Sequence, residues 1–280
     1  MGQRTLPHFC LFAMNQMEKA LRELTEMDDL AAQDSPIHRL SPAAKLLSTI
    51  AYIAVTVSFG KYRLSALVPM ALWPVLLLQL SGVPVRLCFY KLRFVLPLVA
   101  AVGLFNPFLD RSPLLYLGSV PVSGGVISMV TLMLKGVLCL MASFLLMATT
   151  SIDCLCAALR GLRVPKLLVT LLLLTYRYAG LMTEELAIMT DAYHLRAPGQ
   201  RGIHISAWGS FLGQLLLRSA DRAGELYTGM LLRGYRDEFP YAQAKPFSAA
   251  DAAYLLGSAA LFVLFRSLDL GQLLGGMIVR

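Results

Sequence analysis

The sequence predicts an all-α integral membrane protein with about five transmembrane helices and a polar helical insert before the last of them. Three observations carry that expectation. Hydrophobic residues make up 57% of the 280 and charged residues only 15%, far from the composition of a soluble globule. Apolar runs long enough to cross a bilayer fill residues 43 to 176. A polar stretch, residues 184 to 247, then interrupts the pattern ahead of one more apolar helix.

Charge placement sets the orientation. The net charge is +8, but residues 46 to 183 hold eleven Lys or Arg against two Asp, while 184 to 247 hold seven of each sign. The excess therefore sits in short loops between membrane helices, where Lys and Arg mark the cytoplasmic side. No basic face stands outside the membrane pattern, so nucleic acid is not an expected partner. The opening thirty residues are polar and acidic, with Glu18, Glu23, Glu26, Asp28 and Asp29. They read as a cytoplasmic segment rather than a cleavable signal peptide.

Taken in order, residues 1 to 42 form that N-terminal segment, in which Ala13, Met17, Ala20, Leu24 and Met27 recur at helical spacing and predict an amphipathic helix over 12 to 30. Residues 43 to 165 carry helices one to four. Ser41-Pro42 supplies a cap and a first-turn proline for the first, which runs to about Phe59. The second spans about 64 to 80. Arg86, Lys91 and Arg93 mark a cytoplasmic loop before the third, over about 94 to 109. Asn106-Pro107 and Pro113 end it, and residues 114 to 125 read as a short hairpin or an irregular cap on the external side. The fourth helix covers about 126 to 149 and contains Lys135, whose stem can snorkel to the outer interface or serve a substrate path.

Four crossings from a cytoplasmic N-terminus return the chain to the cytoplasm at Arg160, Arg163 and Lys166. The apolar run 167 to 174 is too short for a span and soon meets Arg177, Glu184 and Glu185. Residues 166 to 247 therefore read as a cytoplasmic helical region, with a crossing at 167 to 174 as the alternative topology. A helix over 166 to 191 leads to a stop at Pro198-Gly199, and a second runs from about 207 to 233 before Gly234. On the latter, Leu212, Leu216, Ala220, Ala223, Leu226 and Met230 form an apolar seam, and Gly209, Gly213, Ala220 and Gly224 permit close helix approach. Residues 248 to 280 hold the last membrane helix.

The five cysteines form neither a metal spacing nor a disulfide framework, and His8, His38, His194 and His204 are dispersed. No phosphate-binding loop is present, so ATP hydrolysis is not expected of this chain. Clustered acids or a nucleophile with its base, which a membrane enzyme needs, do not appear. A self-contained secondary transporter needs inverted repeats with polar residues at midplane, which the asymmetric polar insert disfavours; it and a membrane enzyme are the alternatives of another class. What stands out is a pair of arginines at helix ends, Arg196 within Leu195-Arg196-Ala197 and Arg233 within Leu232-Arg233-Gly234. Arginine suits a helix C-terminus, and its planar fork can hold a carboxylate on a partner.

The run from Arg218-Ser219-Ala220-Asp221-Arg222-Ala223 to Met230-Leu231-Leu232-Arg233-Gly234-Tyr235 resembles the signature of the transmembrane T component of energy-coupling factor (ECF) transporters. The opening Ser35-Pro36-Ile37-His38-Arg39-Leu40-Ser41-Pro42 resembles the cobalt-type CbiQ branch. That resemblance implies a non-catalytic scaffold in a bacterial or archaeal cytoplasmic membrane, coupling a substrate-binding membrane subunit to two ABC-type ATPases through two Ala-Arg-Gly motifs. Leu195-Arg196-Ala197 would occupy the first motif and Leu232-Arg233-Gly234 the second, each with Leu for the leading Ala, and the first also with Ala for Gly. ATP and Mg would belong to the ATPases, and the cobalt ion to the substrate-binding partner. A nickel or vitamin importer is the alternative cargo reading.

Overall fold

A computed structural model describes residues 30–33, 35–60, 64–104, 113–117, 120–197, 203–236 and 247–267. The elements are α1 (Pro42–Ser58), α2 (Leu64–Leu67), a 3-10 turn (Pro69–Ala71), α3 (Leu72–Ser81), α4 (Val85–Leu104), β1 (Pro113–Leu117), β2 (Val120–Ser123), α5 (Gly124–Thr149), α6 (Ile152–Gly161), α7 (Lys166–Arg196), a second 3-10 turn (Ile205–Ala207), α8 (Trp208–Leu232) and α9 (Ala249–Ser267). They fall into two compact units, one holding α1 to α5 with α9, the other α7 with α8, and α6 lies across the division.

In the first unit α5 is the central helix and α1, α3 and α4 pack on it. Polar contacts fix the directions of three helices. At one end the Asp251 carboxylate of α9 accepts the Ser41 N–H at 2.7 Å, and Lys45 Nζ in α1 donates to the Thr149 carbonyl of α5 at 2.7 Å. At the other end Lys135 of α5 donates to the Val57 and Phe59 carbonyls, and Arg266 of α9 to that of Ser58. So α1 and α9 run in the same direction and α5 runs against them. The 17 residues of α1 measure about 25 Å, close to the hydrocarbon thickness of a bilayer. Among the described residues two helices, Gly124–Thr149 and Ala249–Ser267, are long and apolar enough to cross a membrane by length and composition, and Pro42–Ser58 and Pro69–Ser81 are shorter apolar segments.

The second predicted helix is broken rather than continuous, and its prolines explain the break. Pro69 opens the 3-10 turn, and Pro74 has no N–H to give the Met70 carbonyl four residues back. Tyr52 supplies the missing donor, its hydroxyl reaching Met70 O at 2.9 Å. The same ring stacks on Trp73 at 4.5 Å and meets Phe262 at 5.5 Å, so three helices share one aromatic core.

Other boundaries differ from the sequence expectation. The basic segment read as a loop, Arg86 to Arg93, is the first part of α4, which starts at Val85 and ends at Leu104. Charges there do not break the helix, since the exposed Arg86 and Arg93 need only solvated heads, not an irregular backbone. Ser41 precedes α1 and Pro42 takes the first turn, but the Ser41 side chain makes no capping bond. The hairpin is present, with β1 and β2 antiparallel. At Gly136 α4 approaches so closely that a Cβ would lie 2.9 Å from Val99 Cγ1. The amphipathic helix over 12 to 30 lies outside the described residues, apart from its last residue.

Candidate docking site

The second unit is a helical hairpin whose two helix ends carry the predicted arginines. α7 runs unbroken for 31 residues, joining what the sequence divided at Asp191. It stops at Arg196, where the Ala197 N–H still reaches Tyr193 O at 3.0 Å but Ala197 itself has left the helix at φ −126°. Pro198 follows, and a residue before proline is steered away from helical geometry. No left-handed residue is needed to end this helix.

α8 ends differently. Gly234 adopts φ 82°, its N–H bonds Leu231 O at 3.0 Å, and the Tyr235 N–H bonds Met230 O at 3.0 Å. This pair of bonds is a Schellman cap, which favours glycine at the left-handed position. The two ends thus account for their own residues: Gly234 is demanded by the cap after Arg233, while Ala197 suffices after Arg196 because proline does the stopping.

Both ends present the same surface. Leu195 and Leu232 are 84% and 85% exposed, and Arg196 and Arg233 beside them are also exposed. Among the described residues no carboxylate pairs with either guanidinium. An apolar side chain in water next to a cation with free donors is a surface suited to a partner offering an apolar cleft and a carboxylate. Ile203 and Phe211 are buried with Met189 and Tyr193 around them, and the His204 N–H donates to the Tyr193 hydroxyl at 3.1 Å, which closes the hairpin near Arg196. Arg233 lies at the far end of the 25-residue α8, ~36 Å along its axis. The two surfaces are therefore separate.

Of the predicted seam, Leu212, Leu216, Ala220 and Ala223 are exposed, and Leu226 and Met230 are half-buried. Leu212 and Leu216 instead line an open apolar groove of about 430 Å³, with Met182 and Leu186 across it on α7. Arg218 of α8 bonds Glu185 of α7, a cross-helix pair that no sequence spacing signals. At Gly209, Gly213 and Gly224 an added Cβ would meet nothing within 4 Å, so no described helix makes the close approach there. Among the described residues no three His, Cys, Asp or Glu side chains gather into a metal site.

The family model described as CbiQ, cobalt transport protein, matches residues 33–241. A cobalt transport protein CbiQ from Rhodobacter capsulatus is 36% identical over 104 residues, covering 36% of this chain and 42% of the relative. An uncharacterised protein from Methanocaldococcus jannaschii is 29% identical over 147 residues, half of each chain. The chain thus spans half or less of the length of these curated relatives. The match of the family model extends from before α1 to beyond α8, taking in the membrane-type helices and both arginine surfaces, and the chain belongs to the CbiQ family of cobalt transport proteins.

Proposed function

We propose that this chain is the transmembrane scaffold and energy-coupling subunit of an ECF-type importer whose cargo is the cobalt ion. Two ABC-type ATPases, which bind ATP and Mg, dock on Leu195-Arg196-Ala197 and Leu232-Arg233-Gly234. A substrate-binding membrane subunit carries the metal ion and sets its selectivity. When the ATPases close on ATP, their docking clefts move, and α7 and α8 transmit the displacement as rigid levers. Helices of 31 and 25 residues carry such motion because their backbones are internally bonded throughout.

The observation that carries the reading is the pairing, at the C-terminal ends of both helices, of an exposed leucine with an arginine that no carboxylate among the described residues pairs. Duplicate surfaces on one chain suit duplicate partners. The directions of α1, α5 and α9 support a cytoplasmic insert: α5 ends and α9 begins at the same end of the first unit, as Thr149 and Asp251 both meet the start of α1. A single crossing between them, as in the alternative topology over 167 to 174, would leave them at opposite ends.

Affinity purification of the tagged chain from its native membrane tests the proposal. Two ABC ATPases and a small membrane subunit should accompany it, with ATP turnover in the complex and none in the isolated chain. Turnover that follows the chain after the ATPases are removed would contradict it.

A further inference from the structure

The end of α1 gathers two cations that the coupling reading does not use. Lys135, eleven residues into α5, donates to Val57 O at 3.1 Å and Phe59 O at 2.5 Å. Arg266, in the last turn of α9, donates to Ser58 O at 3.5 Å, and its guanidinium lies 4.8 Å from the centre of the Phe59 ring. Two positive side chains from different helices thus converge on three successive carbonyls at the negative end of the α1 dipole.

An ammonium has three N–H donors and a guanidinium five, and these bonds use two of the first and one of the second. The guanidinium is held at the Phe59 ring by a cation–π contact. Its remaining N–H groups form a planar fork whose spacing matches the oxygens of a phosphate. The helix end offsets about half an elementary charge, against two on the side chains. Among the described residues no carboxylate supplies the rest: Asp153 and Asp251, the described acids of this unit, sit by the end of α5 and the start of α9, at the opposite end of the bundle.

We propose that Lys135 and Arg266 form a binding site for a phosphate group, that of a phospholipid headgroup at the membrane interface where α1 ends. The site rests on the membrane reading of α1, α5 and α9, not on the docking of ATPases. About 25 Å, the length of α1, separates it from the Asp251 contact at Ser41, which puts it at headgroup level when that contact lies at the other surface. A lysine inside an apolar helix is costly unless its head reaches the interface, and a lipid phosphate there completes what the carbonyls begin.

The test uses the full-length chain in detergent, with phosphatidylglycerol, diacylglycerol and sodium phosphate as probes and native mass spectrometry as the readout. Phosphatidylglycerol should be retained about tenfold or more tightly than diacylglycerol, which lacks the phosphate. The double substitution Lys135→Gln with Arg266→Gln, which keeps donors for the carbonyls but removes both charges, should bring the two lipids level. Lys135→Arg with Arg266→Lys should preserve the preference. Should the neutral variant not fold, the wild-type chain still decides, because added salt must weaken retention of phosphatidylglycerol and leave diacylglycerol unchanged. Equal retention of the two lipids by the wild type, or full preference in the folded neutral variant, overturns the site. Sodium phosphate binding as tightly as the phospholipid would keep the phosphate site and overturn the lipid as its source.

Discussion

Asp251 Oδ1 accepts the backbone N–H of Ser41 at 2.7 Å, so the last helix caps the first. The same carboxylate takes the Ser248 N–H on Oδ2 at 2.8 Å, which is the acid's half of a capping box on its own helix. The position that would serve α1 from within, three residues after Ser41, is the buried Ala44. Asp251 therefore does for both helices what a local acid does for one. It is 3% exposed, and its loss would strand the Ser41 N–H away from water.

Asp251→Ala should destabilise the chain by ~1–3 kcal/mol, the cost of an unsatisfied buried polar group. Asp251→Asn, which keeps an acceptor oxygen, should lose less. Thermal unfolding in detergent, followed by tryptophan fluorescence, measures both.

Two glycines should respond in opposite ways to alanine. Gly136→Ala forces a Cβ to within 2.9 Å of Val99 Cγ1 and should cost ~1–3 kcal/mol by overpacking, because a β-branched side chain has little room to yield. Gly213→Ala meets nothing within 4 Å and should raise the stability of the isolated chain by ~0.5–1 kcal/mol through helix propensity. If a partner helix packs at Gly213, the same change should weaken copurification while the isolated chain remains stable.

Membrane sidedness is open to labelling. In a cysteine-free background, single cysteines at Arg201 and Arg236 should resist an impermeant thiol reagent in right-side-out vesicles and react once the membrane is opened. A cysteine in the 113 to 123 hairpin should react from outside. External labelling at either insert position would contradict the cytoplasmic assignment.

Helix existence was legible in the sequence because apolar runs of bilayer length have few alternatives, and the ends of α7 and α8 were announced by Pro198 and Gly234. What could not be read was anything set by distant residues. The split of the second helix shows Pro69 and Pro74 in the sequence, but not that Tyr52 would satisfy the carbonyl that Pro74 leaves open. The start of α4 was misplaced because Arg86 and Arg93 report where water begins, not where the helix does. At the candidate site both arginines could be named from the helix stops that follow them. The exposure of Leu195 and Leu232, the groove between α7 and α8, and the Arg218–Glu185 pair depend on how the two helices meet, which periodicity does not encode.

Charge reversal at both docking surfaces tests the coupling account most directly. Arg196→Glu with Arg233→Glu should leave membrane insertion and thermal stability close to wild type, since both side chains are exposed and free of carboxylate partners among the described residues. Each single change should weaken ATPase binding by a few kcal/mol if the contact is desolvated, on the order of the ~2–5 kcal/mol seen when one partner of a buried charge pair is lost. The measurement is ATPase pull-down paired with cobalt uptake into vesicles holding the assembled complex. The account predicts loss of both in the double variant, and wild-type binding with wild-type uptake would contradict it.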